Sequence, residues 1–126
     1  MTATDRAVEL ARAAAAAAPD KLAGEIIALD VSDQLVITDV FVVASADSDR
    51  QVRAVVDAIE DKLRAMGVKP LRREGLKEAR WVLLDFAEIV VHVQHAEDRE
   101  FYALERLWKD CPVISLPEHV SSPDPV

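Results

Sequence analysis

The chain has 126 residues, a formal net charge of -8 and 51% hydrophobic residues, which predicts one globular domain and is not the composition of a disordered protein. A single cysteine, Cys111, rules out an internal disulfide and fits a reducing cytosol. No apolar run approaches the ~20 residues that cross a bilayer, and the first residues lack a signal-peptide core. We therefore expect a soluble cytoplasmic protein, and its acidity suits a basic protein partner better than a phosphate backbone.

The first third of the chain predicts one helix and a hairpin. An alanine-rich stretch over residues 4–18 has high helix propensity and ends before Pro19. Residues 24–31 and 35–45 are rich in β-branched residues and predict two strands. The short polar segment 32–34 between them predicts a tight turn, so the two strands should pair as a hairpin.

The clearest helix begins at Ser48. Ser48 and Gln51 form a capping-box pattern, in which each side chain can accept from a free amide of the first turn. Gly67 is a candidate C-cap. Between them, apolar residues recur at helical spacing: Val52, Val55, Val56, Ile59, Leu63 and Met66.

The rest of the chain predicts three strands, one helix and a tail. The strands are expected over residues 68–73, 79–86 and 88–94, and the helix over 97–108. The element order α-β-β-α-β-β-β-α predicts an α/β (α+β) fold with a single mixed sheet of about five strands flanked by helices. The proline-rich segment 111–126 predicts a flexible tail after a domain spanning residues 1–110.

Few residues suggest chemistry. His92 and His95 are three apart near a strand end, without an HExxH or CxxC pattern, so His92 is interpreted as a hydrogen-bonded strand residue and no metal is predicted. Ser45 and Ser48 lack the GxSxG elbow of serine hydrolases. Three unpaired glycines in the whole chain argue against a phosphate-binding loop.

Carboxylates give the best case for an enzyme. Asp30, Asp39 and Asp85 lie near predicted strand ends, where acidic residues can bind magnesium for phosphoryl transfer. The Gly-Ser pair and Asp-x-Asp of a nucleotidyltransferase are missing, however. Asp30 and Asp39 are therefore interpreted as turn or strand-end residues that accept hydrogen bonds from backbone amides.

A basic cluster lies between residues 69 and 80. Five cations stand against Glu74 and Glu78, which gives a local net charge of +3 inside an acidic protein: Lys69, Arg72, Arg73, Lys77 and Arg80. Such a cluster is usually a solvated loop. Its functional interpretation is an auxiliary contact with RNA phosphates, made by Arg72, Arg73 and Lys77.

The tryptophan strand suggests a docking surface. Side chains alternate along a strand, so Val82, Leu84 and Phe86 share a wholly apolar face that should meet the core. Trp81, Leu83 and Asp85 share the other face. An aromatic anchor, an aliphatic neighbour and an acidic rim resemble a protein interface, although a covering helix would explain the same pattern.

Several ordered motifs resemble the ribosomal silencing factor family, also called Iojap-like. They are ALDV at 28–31, ITDVFVVAS at 37–45, SDRQV at 48–52, Pro70, the Glu74-Gly75 pair, WVLLD at 81–85, VVHV at 90–93, and Glu97 followed by REFYALERLW at 99–108. The resemblance covers roughly residues 5–110 and does not extend to the tail.

This resemblance implies a homodimer with a nucleotidyltransferase-like sheet, no catalysis and no cofactor. It implies binding to protein fourteen of the large ribosomal subunit, which blocks the small subunit sterically and represses translation when nutrients are scarce. The tryptophan strand, with Trp81, Leu83 and Asp85, is the implied contact. The alternatives are a magnesium-dependent enzyme related to nucleotidyltransferases and a dimeric adaptor with a non-ribosomal partner.

Overall fold

In a computed structural model of the chain, residues 2–18, 26–97 and 110–116 are described. These residues form two helices and five strands: α1 (Asp5–Ala17), β1 (Ile26–Asp30), β2 (Val40–Ala46), α2 (Asp49–Ala65), β3 (Arg72–Glu74), β4 (Trp81–Asp85) and β5 (Ile89–His95). The predicted α+β class with a single mixed sheet is confirmed. The helix predicted over 97–108 lies almost entirely outside the described residues.

The five strands form one sheet in the order β1-β2-β5-β4-β3. Only β2 and β5 run parallel, and every other neighbouring pair is antiparallel. The parallel pair places β5 in the centre of the sheet, where all of its residues are buried. The sheet edge at β3 is short and carries charged residues, which discourages pairing with another chain.

Both helices pack on one face of the sheet, and the main core lies between them. Alanines and Leu10 form the buried side of α1, so the helix can approach its neighbours closely. The apolar stripe predicted for α2 is buried against the same face. From the sheet, alternate residues of β2, β4 and β5 complete the core, and Val82 and Leu84 are fully buried as predicted.

Local signals set both ends of α2. The Ser48 side chain accepts from the amide of Gln51 at 3.2 Å. The Gln51 side chain returns to the amide of Asp47, one residue before the expected partner. At the other end, Gly67 adopts φ +84, and the amides of Gly67 and Val68 bond to the carbonyls of Arg64 and Leu63. This Schellman arrangement satisfies the last free carbonyls of the helix.

The hairpin of β1 and β2 has a longer connection than predicted. Residues 35–39 belong to the loop, because the Val31 carbonyl accepts the amides of Gln34 and Leu35 and turns the chain away from the sheet. Val36 is 99% exposed and Ile37 is 76% exposed. Their β-branched side chains favour a strand, but no strand among the described residues pairs with this segment.

The start of the predicted tail also differs from expectation. The Pro112 carbonyl accepts the Asp30 amide at 2.8 Å, and the Ile114 amide donates to the Ala28 carbonyl at 2.9 Å. Val113 thus makes an antiparallel bridge to Leu29 at the edge of β1, while Ile114 and Leu116 pack against the main core. The open edge of β1 offers these residues backbone hydrogen bonds, so the first part of the predicted tail is in contact with the domain. Within the described part of the chain, no helix combines the length and apolarity needed to cross a bilayer.

Candidate docking surface

The sheet face opposite the two helices carries the residues predicted to meet a partner. Strand alternation and register place on it Trp81, Leu83 and Asp85 of β4, His92 and Gln94 of β5, and Phe41 and Val43 of β2. We call these seven residues the outer face. On β4 its side chains are half-buried, whereas the intervening Val82 and Leu84 are buried in the core. The predicted division of β4 into a core face and an outer face is therefore confirmed.

Trp81 is anchored on this face by its polar edge. Its indole Nε1–H donates to Nδ1 of His92 at 3.1 Å, and the two ring centroids are 6.1 Å apart. In the strand register Trp81 faces Gln94, so the indole reaches diagonally to His92. The half-buried ring therefore has a fixed polar edge while part of its surface stays accessible.

His92 is a neutral acceptor in this arrangement. Burial lowers its pKa to about 4, because a charged imidazolium would lose its hydration. An indole nitrogen can only donate, so Nδ1 of His92 is unprotonated and the proton resides on Nε2. Phe41 packs edge-on against the imidazole, with ring centroids 5.0 Å apart and planes at 69°. The interpretation of His92 as a hydrogen-bonded strand residue is confirmed.

The outer face also contains buried polar atoms that sequence reasoning missed. Gln94 is fully buried, and among the described residues neither its amide nitrogen nor its amide oxygen has a hydrogen-bond partner. Nε2 of His92 is also buried, with no hydrogen-bond partner in the described part of the chain. A signal was present in the sequence, since residues 92 and 94 are polar at alternate positions between the aliphatic residues 89–91 and 93.

Asp85 lies at the rim of the outer face, near the turn from β4 to β5. Its Oδ1 accepts the amide of Ala87 at 2.8 Å, and Ala87 has φ 71. Its Oδ2 lies 3.8 Å from Nη2 of Arg72, a long and partly exposed ion pair. The carboxylate thus stabilises the turn and still presents negative charge at the rim.

The basic cluster does not form one continuous cationic surface. Neighbouring positions on β3 point to opposite sides: Arg72 pairs with Glu74 at 3.1 Å, and Arg73 pairs with the buried Glu60 of α2 at 2.9 Å. Arg80 lies 3.4 Å from Glu97. The backbone carbonyl of Lys77 accepts from Arg53 at 2.6 Å. Contact of Arg72, Arg73 and Lys77 with RNA therefore remains a prediction. Binding of RNA by Arg72 or Arg73 would have to compete with these internal ion pairs.

Asp30 and Asp39, two of the aspartates considered for magnesium binding, accept hydrogen bonds from backbone amides. Asp30 accepts the amide of Ala3 at 2.8 Å and the amide of Ser32 at 3.0 Å, and Asp39 accepts the amide of Thr4 at 2.9 Å. Their predicted role as acceptors for backbone amides is confirmed. Two carboxylates also lie beside the first turn of α1, where the helix dipole favours negative charge.

These aspartates also lie on different sides of the sheet. Asp30 lies on the same face of β1 as Ile26 and Ala28, which face the helices. Asp85 belongs to the outer face. Burial tends to raise the pKa of Asp30, but hydrogen bonds from Ser32 and Ala3 outweigh it and leave that pKa lowered. Among the described residues, no three His, Cys, Asp or Glu side chains are grouped so that they could hold a metal ion.

Known proteins show which family has this sequence and fold. The model of the family called "Ribosomal silencing factor during starvation" matches residues 4–125. Ribosomal silencing factor RsfS of Bacillus subtilis is 43% identical over 103 residues, which cover 82% of this chain and 87% of the relative. The chloroplastic protein Iojap of Zea mays is 33% identical over 114 residues, or 88% of this chain and 46% of the relative.

Solved structures agree with the sequence relatives. A crystal structure of a Chromobacterium violaceum protein matches with a TM-score of 0.77 at 36% identity, covering 80% of this chain and 84% of that one. A crystal structure of a Bacillus halodurans protein matches with a TM-score of 0.75 at 35% identity, covering 86% of this chain and 98% of that one. The family match spans nearly the whole chain and is joined by relatives well above 30% identity. This chain belongs to the ribosomal silencing factor family.

Proposed function

We propose that this protein silences ribosomes in the cytoplasm by binding the large subunit and blocking the small subunit sterically. Membership in the family supports the ribosome as the partner, because relatives that cover most of this chain carry the name ribosomal silencing factor. The action requires binding alone, so its extent follows the protein concentration relative to the dissociation constant. In this proposal the protein is a regulator and has no catalytic role or cofactor.

The outer face is the proposed contact, and protein fourteen of the large subunit is the proposed partner. The proposal depends mainly on Trp81, a half-buried indole that is fixed at one edge and shares its strand face with Leu83 and Asp85. Tryptophan is enriched among the residues that contribute most to protein interfaces, and neighbouring contacts exclude water from it. Asp85 and the net charge of -8 favour association with a basic ribosomal protein.

Two linked measurements test the proposal. Purified protein should co-sediment with isolated large subunits in a sucrose gradient, and it should reduce the joining of large and small subunits measured by light scattering. Large subunits lacking protein fourteen should neither bind the protein nor respond to it. Binding without any effect on joining would contradict steric silencing, and equal binding to the depleted subunits would contradict the proposed partner.

The resemblance to the family further supports a homodimer as the resting state. Light scattering of the purified protein at micromolar concentration should therefore give about twice the chain mass of 13.9 kDa. A mass of one chain would contradict this part of the proposal and leave ribosome binding to be judged on its own.

A further inference from the structure

The tryptophan of the outer face has its N–H already bonded within the chain. The Trp81 indole donates to His92, and the bond joins two strands that are neighbours in the sheet but separated by a turn in the sequence. A partner that meets Trp81 therefore contacts the ring surface rather than its N–H. The matching chemistry is an aliphatic or cationic side chain laid against an aromatic ring.

The acceptor of this bond is itself held in place. His92 is 6% exposed, and Phe41 packs edge-on against its ring from the neighbouring strand. A proton on Nδ1 would turn the acceptor into a donor and break the bond with the indole. The buried site disfavours the charged ring, so His92 is a fixed acceptor at neutral pH.

We propose that His92 is the positioning residue of the docking surface, holding the Trp81 indole in its binding orientation before a partner arrives. This inference rests on the proposed function. The bond holds the half-buried indole in one orientation, and an orientation fixed before association lowers the entropy cost of binding. Removal of the acceptor should therefore weaken binding to the large subunit roughly 3- to 10-fold, less than removal of the indole itself.

Two substitutions at one position separate positioning from packing. His92→Asn places a carbonyl oxygen near the position of Nδ1 and can still accept from the indole, whereas His92→Leu fills the site without an acceptor. We expect His92→Asn to bind large subunits within about 2-fold of the natural chain, and His92→Leu to lose the roughly 3- to 10-fold given above.

The indole N–H gives a readout that packing alone does not move. In protein labelled with ¹⁵N-tryptophan, the resonance absent from Trp81→Phe identifies Trp81. Its N–H should exchange slowly with water in the natural chain and in His92→Asn, and rapidly in His92→Leu. Slow exchange in a folded His92→Leu would overturn the proposal, as would binding equal to that of the natural chain.

Trp81→Phe keeps the test decisive if His92→Leu does not fold. Phenylalanine retains an aromatic ring but cannot donate, so Trp81→Phe should bind more weakly than the natural chain and gain nothing from His92. His92→Asn introduced into Trp81→Phe should then leave affinity unchanged, and any further loss there would contradict positioning through the indole. If the natural chain does not bind large subunits at all, the proposed function fails instead, whatever the exchange rate.

Discussion

Gly75 lies directly against the backbone of Trp81. A Cβ added at Gly75 would overlap the Trp81 carbonyl oxygen, and Gly75 adopts φ +83, which side chains rarely allow. The Gly75 carbonyl also accepts the amide of Ala79 at 3.0 Å, so the loop before β4 closes on itself. The glycine of the Glu74-Gly75 motif thus determines where the tryptophan strand begins.

Gly75→Ala should lower the free energy of unfolding by about 2–4 kcal/mol, because strain at positive φ adds to the clash with the Trp81 carbonyl. Gly67→Ala is the matched control. Gly67 has a similar φ of +84, but no described residue lies within 4 Å of the added Cβ, so its substitution should cost only about 1 kcal/mol. Urea denaturation of the two variants checks the difference, and equal losses would show that the close approach to Trp81 contributes nothing.

Trp81→Ala should leave the fold intact and remove most of the affinity for the large subunit. The core side chains of β4 point the other way, and truncation of a central interface tryptophan typically costs ~2–4 kcal/mol, or roughly 30- to 1000-fold in affinity. Val36→Ala is the control, since Val36 is an exposed apolar residue outside the outer face. Pelleting with large subunits, alongside circular dichroism, measures both effects. An unfolded Trp81→Ala would instead identify Trp81 as a core residue.

Asp85→Lys should also weaken binding to the large subunit, mainly because association with a basic partner becomes slower. The same change removes the acceptor of the Ala87 amide and places a cation beside Arg72, so the turn should also lose some stability. Asp85→Asn separates the two effects, because the amide oxygen can still accept from Ala87. If Asp85→Asn associates as fast as the natural chain, charge at this rim does not steer the encounter.

Stability should fall as the pH drops through the range between the two pKa values of His92. The folded pKa is about 4, below the ordinary value of 6.5, so the unfolded chain binds a proton in this range that the folded chain does not. Above pH ~6.5 both states hold a neutral His92, so this residue causes no loss of stability. Between pH ~6.5 and pH ~4 the free energy of unfolding should fall by roughly 3 kcal/mol. The free energy of unfolding, measured with urea at several pH values, should fall more steeply with decreasing pH for the natural chain than for His92→Asn. Parallel profiles would contradict a buried neutral imidazole.

Asp30→Asn should destabilise the fold by about 1–2 kcal/mol and change ribosome binding by no more than a few-fold. Three donors converge on the Asp30 carboxylate, and an amide cannot accept from all of them. The exposed Asp47 provides a control carboxylate, for which Asp47→Asn should be nearly neutral. Metal-dependent nucleotide turnover that Asp30→Asn abolishes would favour the enzymatic alternative.

Residues 112–116 should contribute to stability, although the sequence predicts that they belong to a flexible tail. A chain ending at Cys111 should be less stable by about 1–3 kcal/mol than one ending at Leu116, because it loses two hydrogen bonds to β1 and the packing of Ile114 and Leu116. Thermal unfolding of the two truncated chains measures the difference. Equal melting temperatures would show that the pairing with β1 adds no stability.

The sequence by itself determined the features that depend on neighbouring residues. The ends of α2 follow from Ser48, Gln51 and Gly67, which act within one helical turn. The two faces of β4 follow from strand alternation, and ordered motifs along most of the chain indicated the family.

Tertiary structure decided what depends on distant partners. Val36 and Ile37 have strand-forming side chains but lie in a loop, because a strand needs a neighbour to pair with. Arg72 and Arg73 are adjacent in sequence yet pair with carboxylates on opposite sides of the sheet. The bond from Trp81 to His92 exists because the antiparallel register of β4 and β5 brings the two rings together. Register is set by the packing of the whole sheet, which no local pattern encodes.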